Sequence, residues 1–261
     1  MEVVIVPDAA AVGATAAGAV AALAARTPGA VLGLATGSSP STLYGELARR
    51  VAAGELSLAG CRAFLLDEYV GLPADHPQRY RNVIEAAVVA RTDLPTARVQ
   101  APDGLAEDLV AAGHAYEHAI AAAGGVDLQV LGVGTDGHIA FNEPGSSLAS
   151  RTRVKTLTEQ TRRDNARFFG GSVEAVPRHC LTQGIGTILE ARHVLLLASG
   201  EAKAEAVARV VEGPVTARWP GSALQLHPHV TVVVDEASAA RLELADYYRE
   251  TYHHKPKWQE L

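Results

Sequence analysis

Apolar residues fall along this chain in two rhythms. Residues 3–6, 31–35, 62–66, 126–133, 193–198 and 230–234 form short apolar runs rich in Val, Leu and Ile. They lack the alternation expected of strands wetted on one face, so each reads as a strand buried on both faces. Residues 154–157 read as a further strand. Between these runs lie longer Ala-, Leu- and Arg-rich stretches. Residues 11–26 and 40–52 have helical character, with Leu43, Leu47 and Val51 at i, i+4 and i+8. Apolar strands separated by helices predict an α/β fold: a doubly wound, mostly parallel sheet with helices on both faces. No repeat and no Pro/Gly/Ser-rich linker divides the chain. The expected organisation is one domain over residues 1–250 and a C-terminal tail over 251–261. In that tail His253, His254, Lys255, Pro256 and Lys257 read as a weakly anchored end.

Composition narrows the classes. A length of 261 residues and a 48% hydrophobic share suffice for one buried core. A formal net charge of −6 gives no general attraction for nucleic acid or an anionic membrane. A phosphorylated ligand would therefore need local groups to hold it. The Ala-rich stretch at 9–25 comes nearest to a membrane span, but Gly13 and Gly18 interrupt it and its hydrophobicity is weak. The first ten residues have no basic region leading into an apolar core, so no secretory signal is expected. Cys61 and Cys180 form no close-spaced pair, which points to reduced thiols and a cytoplasmic setting.

In such a sheet, ligands bind outside the carboxyl ends of the strands. Three strand ends carry unusual residues. After the second strand, Thr36, Gly37, Ser38 and Ser39 lead into a helix, with Ser39 suited to the cap and Pro40 to the first turn. Free N–H groups at a helix start, a glycine and three hydroxyls suit an anion, although an ordinary capped helix has the same look. After the third strand come Asp67 and Glu68. A partly desolvated carboxylate there could act as a general base, or either residue could cap a turn. After the fourth strand, Gly132, Gly134 and Gly137 satisfy G-x-G-x-x-G. A dinucleotide site would need a helix to begin there, and Pro144-Gly145 denies it one. What remains is an acid–base cluster, Asp136, His138 and Glu143, in which a carboxylate can orient the imidazole. The pair His227 and His229 flanks an apolar strand and reads as structural.

Taken in order, Thr36-Gly37-Ser38-Ser39-Pro40, Leu66-Asp67-Glu68-Tyr69-Val70-Gly71-Leu72 and the segment from Gly132 to Pro144 resemble the signature blocks of the glucosamine-6-phosphate deaminase family. The resemblance runs from about residue 30 to about residue 236. The 6-phosphogluconolactonases share the fold and a related turn, but Asn142-Glu143-Pro144 favours the deaminases.

The resemblance implies conversion of glucosamine 6-phosphate to fructose 6-phosphate and ammonia, with a sugar phosphate as small-molecule partner and no cofactor or metal. It makes Asp67 the base at C2 and His138 the ring-opening group, supported by Asp136 and Glu143. It makes Arg167 and Lys203 phosphate ligands beside the turn at 36–39, and residues 158–177 a mobile lid. In hexameric members N-acetylglucosamine 6-phosphate activates from a subunit interface, and Ser146, Arg153, Lys155 and Thr156 match that site. Shorter members lack this control. The resemblance therefore leaves open both activation and the choice between a hexamer and a monomer.

Overall fold

Successive residues of the central strands face opposite ways, and each face buries its side chains under its own helices. The computed structural model describes residues 1–256, 258, 259 and 261. In chain order, β1 (Glu2–Val6), α1 (Ala9–Arg26), β2 (Val31–Leu34), α2 (Ser38–Ala52), β3 (Arg62–Leu65), β4 (Asp67–Tyr69), α3 (Tyr80–Ala87), β5 (Val99–Gln100), α4 (Leu109–Ala122) and β6 (Leu128–Gly132) form the first half. β7 (Arg153–Thr156), α5 (Glu159–Asn165), β8 (His179–Thr182), α6 (Ile185–Ile188), β9 (His193–Ala198), α7 (Ala204–Val211), β10 (Val230–Asp235) and α8 (Ala245–His253) follow. Seven strands make one parallel sheet in the order β1-β10-β9-β6-β2-β3-β5.

Leu32, Leu34, Leu128, Val130, Leu195, Leu197 and Val233 pack with α1 and α2 on one face. Val31, Phe64, Leu131, Val194, Leu196, Val232 and Val234 pack with α4 and α7 on the other. Each fully buried Val or Leu contributes about 1.5–3 kcal/mol, so the two layers account for much of the fold's cohesion. The expected doubly wound sheet is the one observed. By length and apolarity α1 could cross a membrane. Here Val12, Ala16 and Val20 are buried in the layer that α1 and α2 share. A Cβ on Gly13 would lie 2.6 Å from the Thr42 carbonyl carbon, so that glycine sets how closely the two helices approach.

Three local expectations change. α2 begins at Ser38 with Gly37 in the cap position, so Ser39 is not the cap and Pro40 lies inside the first turn. A second, antiparallel sheet β4-β8-β7 stands at the rim of the first. Finally, α8 runs through the boundary expected at residue 250. Beyond it Lys255 Nζ lies 2.7 Å from Glu2 Oε2, which ties the chain's end to β1 instead of leaving it loose. Lys257 of the expected tail lies outside the described residues.

Candidate active site

From β2 the sheet winds outward through β3 to β5, and from β6 outward through β9 to β10. The reversal between β2 and β6 is where an open α/β sheet leaves a crevice. Here that crevice measures about 840 Å³, and Thr36, Gly37, Ser38, Ser39, Asp67, His138, Arg167 and Lys203 all line it. Asp136 and Glu143 stand behind His138. Ser146, Arg153, Lys155 and Thr156 lie outside the lining.

The first wall is the start of α2. Gly37 has φ of 114°, a conformation that favours glycine, and no side chain caps the helix. Its first N–H groups are therefore left for a ligand, and the helix dipole favours an anion there. Tyr44 Oη donates to Ala35 O at 2.6 Å and pins the strand end to the helix.

The second wall is β4. Asp67 and Glu68 alternate across the strand, so their carboxylates leave in opposite directions. Glu68 turns into the protein and accepts from the N–H groups of Tyr69, Tyr80 and Arg81, each at 2.9 Å. It thereby caps α3 from a distant strand. Asp67 is only 6% exposed, and among the described residues no donor reaches its carboxylate. Burial, then the neighbouring Glu68 charge, push its pKa up to about 8.

The third wall follows β6. Residues 133–152 form turns and an isolated Ile139–Asn142 bridge, with no helix for a dinucleotide to cap. The glycines serve the histidine instead. A Cβ on Gly134 would lie within 2.2–2.6 Å of the His138 ring, and Gly137 has φ of 81° with Trp219 against it. Asp136 Oδ1 lies 2.7 Å from His138 Nδ1 and also accepts from the His138 N–H at 3.2 Å. Burial raises the Asp136 pKa, but the His138 hydrogen bond and charge outweigh it and hold the group at about 2. Glu143 Oε2 is buried 3.9 Å from His138 Nδ1, while its Oε1 accepts from the Thr158 N–H at 3.3 Å. Asp136, His138 and Glu143 offer ligand atoms within 4.8 Å of one another, so these are the residues able to hold a metal. The 2.7 Å separation of Asp136 Oδ1 and His138 Nδ1 is a hydrogen-bond length.

The remaining wall comes from α5, the turn after it and the turn after β9 that carries Lys203. The Arg167 guanidinium sits 4.7 Å from the centre of the Phe168 ring at the crevice. Burial lowers the Lys203 pKa, against an opposing pull from Asp164. Asn165 Nδ2 donates to Tyr69 Oη at 2.9 Å, and Tyr80 Oη donates to the same oxygen at 3.2 Å. Tyr69, Tyr80 and Asn165 are not among the site residues expected from the sequence. The one local signal for Tyr69 is its place two residues after Asp67, which puts both side chains on one face of a strand.

Residues 8–233 match the family model described as glucosamine-6-phosphate isomerases/6-phosphogluconolactonase. A glucosamine-6-phosphate deaminase of Beutenbergia cavernae is 67% identical over 100% of both chains. One from Mycolicibacterium smegmatis is 66% identical over 99% of both. Among solved structures, a monomeric glucosamine-6-phosphate deaminase superposes with a TM-score of 0.90 at 42% identity, covering 92% of this chain and 100% of that one. With the match spanning nearly the whole fold and every wall of the crevice, the chain belongs to the glucosamine-6-phosphate isomerase/6-phosphogluconolactonase family.

Proposed function

We propose that Asp67 and His138 carry out the family's deaminase reaction in this crevice. The chain is an enzyme that converts glucosamine 6-phosphate to fructose 6-phosphate and ammonia. One observation supports these roles above the others: a buried carboxylate free of protein donors and a carboxylate-bound imidazole open onto one crevice beside an uncapped helix start.

The phosphate is read by the N–H groups at the start of α2, by the hydroxyls of Thr36, Ser38 and Ser39, and by Arg167 and Lys203. A helix N-terminus and two cations outweigh the protein's net negative charge at that point. His138 moves a proton between the anomeric hydroxyl and the ring oxygen, which opens the sugar. Asp136 fixes the imidazole tautomer and Glu143 backs it. Asp67 then takes the C2 proton and returns it to C1 while a proton passes from the amine to the C1 oxygen, so the amino aldose becomes a 2-imino chain with a C1 hydroxyl. Water adds at C2 and ammonia leaves as the ketone forms. A base that titrates near neutral pH suits this two-way transfer, because it must both accept and give back the proton. The segment over residues 158–177 closes as a lid and keeps bulk water from the intermediate.

The relative described as monomeric favours a single chain in solution. Arg153, Lys155 and Thr156 lie on β7, and Ser146 is buried with no partner for its Oγ. N-acetylglucosamine 6-phosphate would act from there. Gel filtration, and velocity curves with and without the acetylated sugar, test both points. Cys61 and Cys180 are free and buried, in keeping with work in a reducing cytoplasm. A coupled assay following ammonia and fructose 6-phosphate together tests the reaction. The two products should appear one for one, whereas a lactonase or a simple isomerase would release no ammonia.

A further inference from the structure

Asp67 and His138 belong to different strand ends, and the chemistry needs them at a fixed spacing. The ends of β3 and β6 do not touch, because β2 lies between them. The link runs instead through the end of β8. On the base side, Gln183 N–H donates to Leu66 O at 2.8 Å, and Gln183 Nε2 donates to Leu65 O at 3.0 Å. Thr182 lies directly opposite Asp67 in the antiparallel ladder. The flanking bonds, Gln183 N to Leu66 O and Val70 N to His179 O, make Asp67–Thr182 a non-hydrogen-bonded pair, the kind whose side chains share a face and lie closest together.

On the histidine side the same two residues are used again. Phe141 N–H donates to Thr182 Oγ1 at 3.1 Å, and Asn142 Nδ2 donates to Gln183 O at 2.9 Å. Thr182, Gln183 and Asn142 are all buried, so solvent offers these groups no substitute partners. Phe141 and Asn142 lie between His138 and Glu143, and their backbone fixes where that loop stands.

We propose that Thr182 and Gln183 are positioning residues that set the distance between the base and the histidine loop. They touch no reacting atom. Thr182 carries the histidine arm through its hydroxyl, and Gln183 carries the base arm through its amide. The proposal rests on the deaminase reading for its effect on rate, but not for its effect on the loop.

Thr182→Val keeps the side-chain volume and removes the hydroxyl. It should lower kcat about a hundredfold, the cost of a misplacement near 1 Å, while KM moves little because the phosphate groups are untouched. Thr182→Ser, which keeps the hydroxyl, should restore kcat. Gln183→Met should cost less, about tenfold, because Tyr116 Oη also holds Leu65 O at 2.6 Å. Hydrogen exchange over residues 138–143 should quicken in Thr182→Val and not in Thr182→Ser. A Thr182→Val enzyme with a lowered melting temperature but normal kcat and normal exchange in that loop would overturn the proposal, since the residue would then be structural only. So would a Thr182→Ser enzyme as slow as Thr182→Val. If the wild-type enzyme released no ammonia, the deaminase reading would fail, and the exchange experiment would still decide the clamp.

Discussion

Asp67 and Asp136 follow two strands of one sheet, separated only by β2, and their surroundings drive them in opposite directions. Burial acts on both to disfavour the charge. At Asp67 nothing answers it, because the nearest charge is the carboxylate of Glu68, and the pKa climbs to about 8. At Asp136 the His138 ring and backbone answer it, and the pKa falls to about 2. Full burial with no partner raises Asp67, whereas shallower burial beside a histidine lets Asp136 fall. The two roles then separate: a group that titrates near neutrality can pass a proton back and forth, and one ionised at every working pH can anchor an imidazole.

The largest test of that contrast removes the group with no partner. Asp67→Asn should lower turnover by about 10⁴, the upper range for loss of a general base. Binding of a non-reacting sugar phosphate should change by less than about tenfold, roughly 1.4 kcal/mol, when measured by calorimetry. Turnover within tenfold of wild type would move the base to another residue. Asp136→Asn should do less, about 10², the lower range for acid–base catalysis, because the imidazole stays in place and loses the charge that orients it. The loss should be greater with the cyclic sugar than with an open-chain form, since ring opening is the step given to His138. His138→Gln should show the same preference. Equal losses with both forms would place the pair in a later step.

The contrast also marks how far the sequence can be read. The parallel strands were legible because burial on both faces demands near-continuous apolar runs, as in residues 194–198 of β9. β4 and β8 were not. β4 is three residues led by two acids, and His179–Thr182 mixes polar with apolar, so their pairing comes from tertiary context and not from any local pattern. At the turn after β2 the expected cap was Ser39, the better capping residue, yet the backbone turns at Gly37 and leaves the helix start open. A rule written for helix stability fails where a positive-φ glycine, and not a capping side chain, starts the helix. That Asp67 and Glu68 part follows from strand alternation only once β4 is in place. That Glu68 would cap α3 was not legible, because its partners lie 12 and 13 residues away, beyond a loop. Only the family resemblance points to Arg167 and Lys203 as crevice residues, because isolated cations on helical turns look alike.

The smallest effect, and the most direct reading of the comparison, lies in stability against pH. A carboxylate raised from 3.8 to about 8 on folding binds its proton more tightly in the native state. Its contribution is fully present below pH 4 and is lost as pH rises towards 8, with a slope of at most about 1.4 kcal/mol per pH unit. Asp136, lowered from 3.8 to about 2, does the reverse: its contribution is present above pH 4 and is lost as pH falls towards 2. Urea titrations across pH should therefore separate the two. Asp67→Asn should flatten the decline above pH 5, gaining about 2.6 kcal/mol relative to wild type between pH 5 and 7. Asp136→Asn should leave that limb alone and flatten the acid limb below pH 4. If both variants changed the same limb, the two aspartates would share one environment, and the division of labour between base and anchor would lose its physical ground.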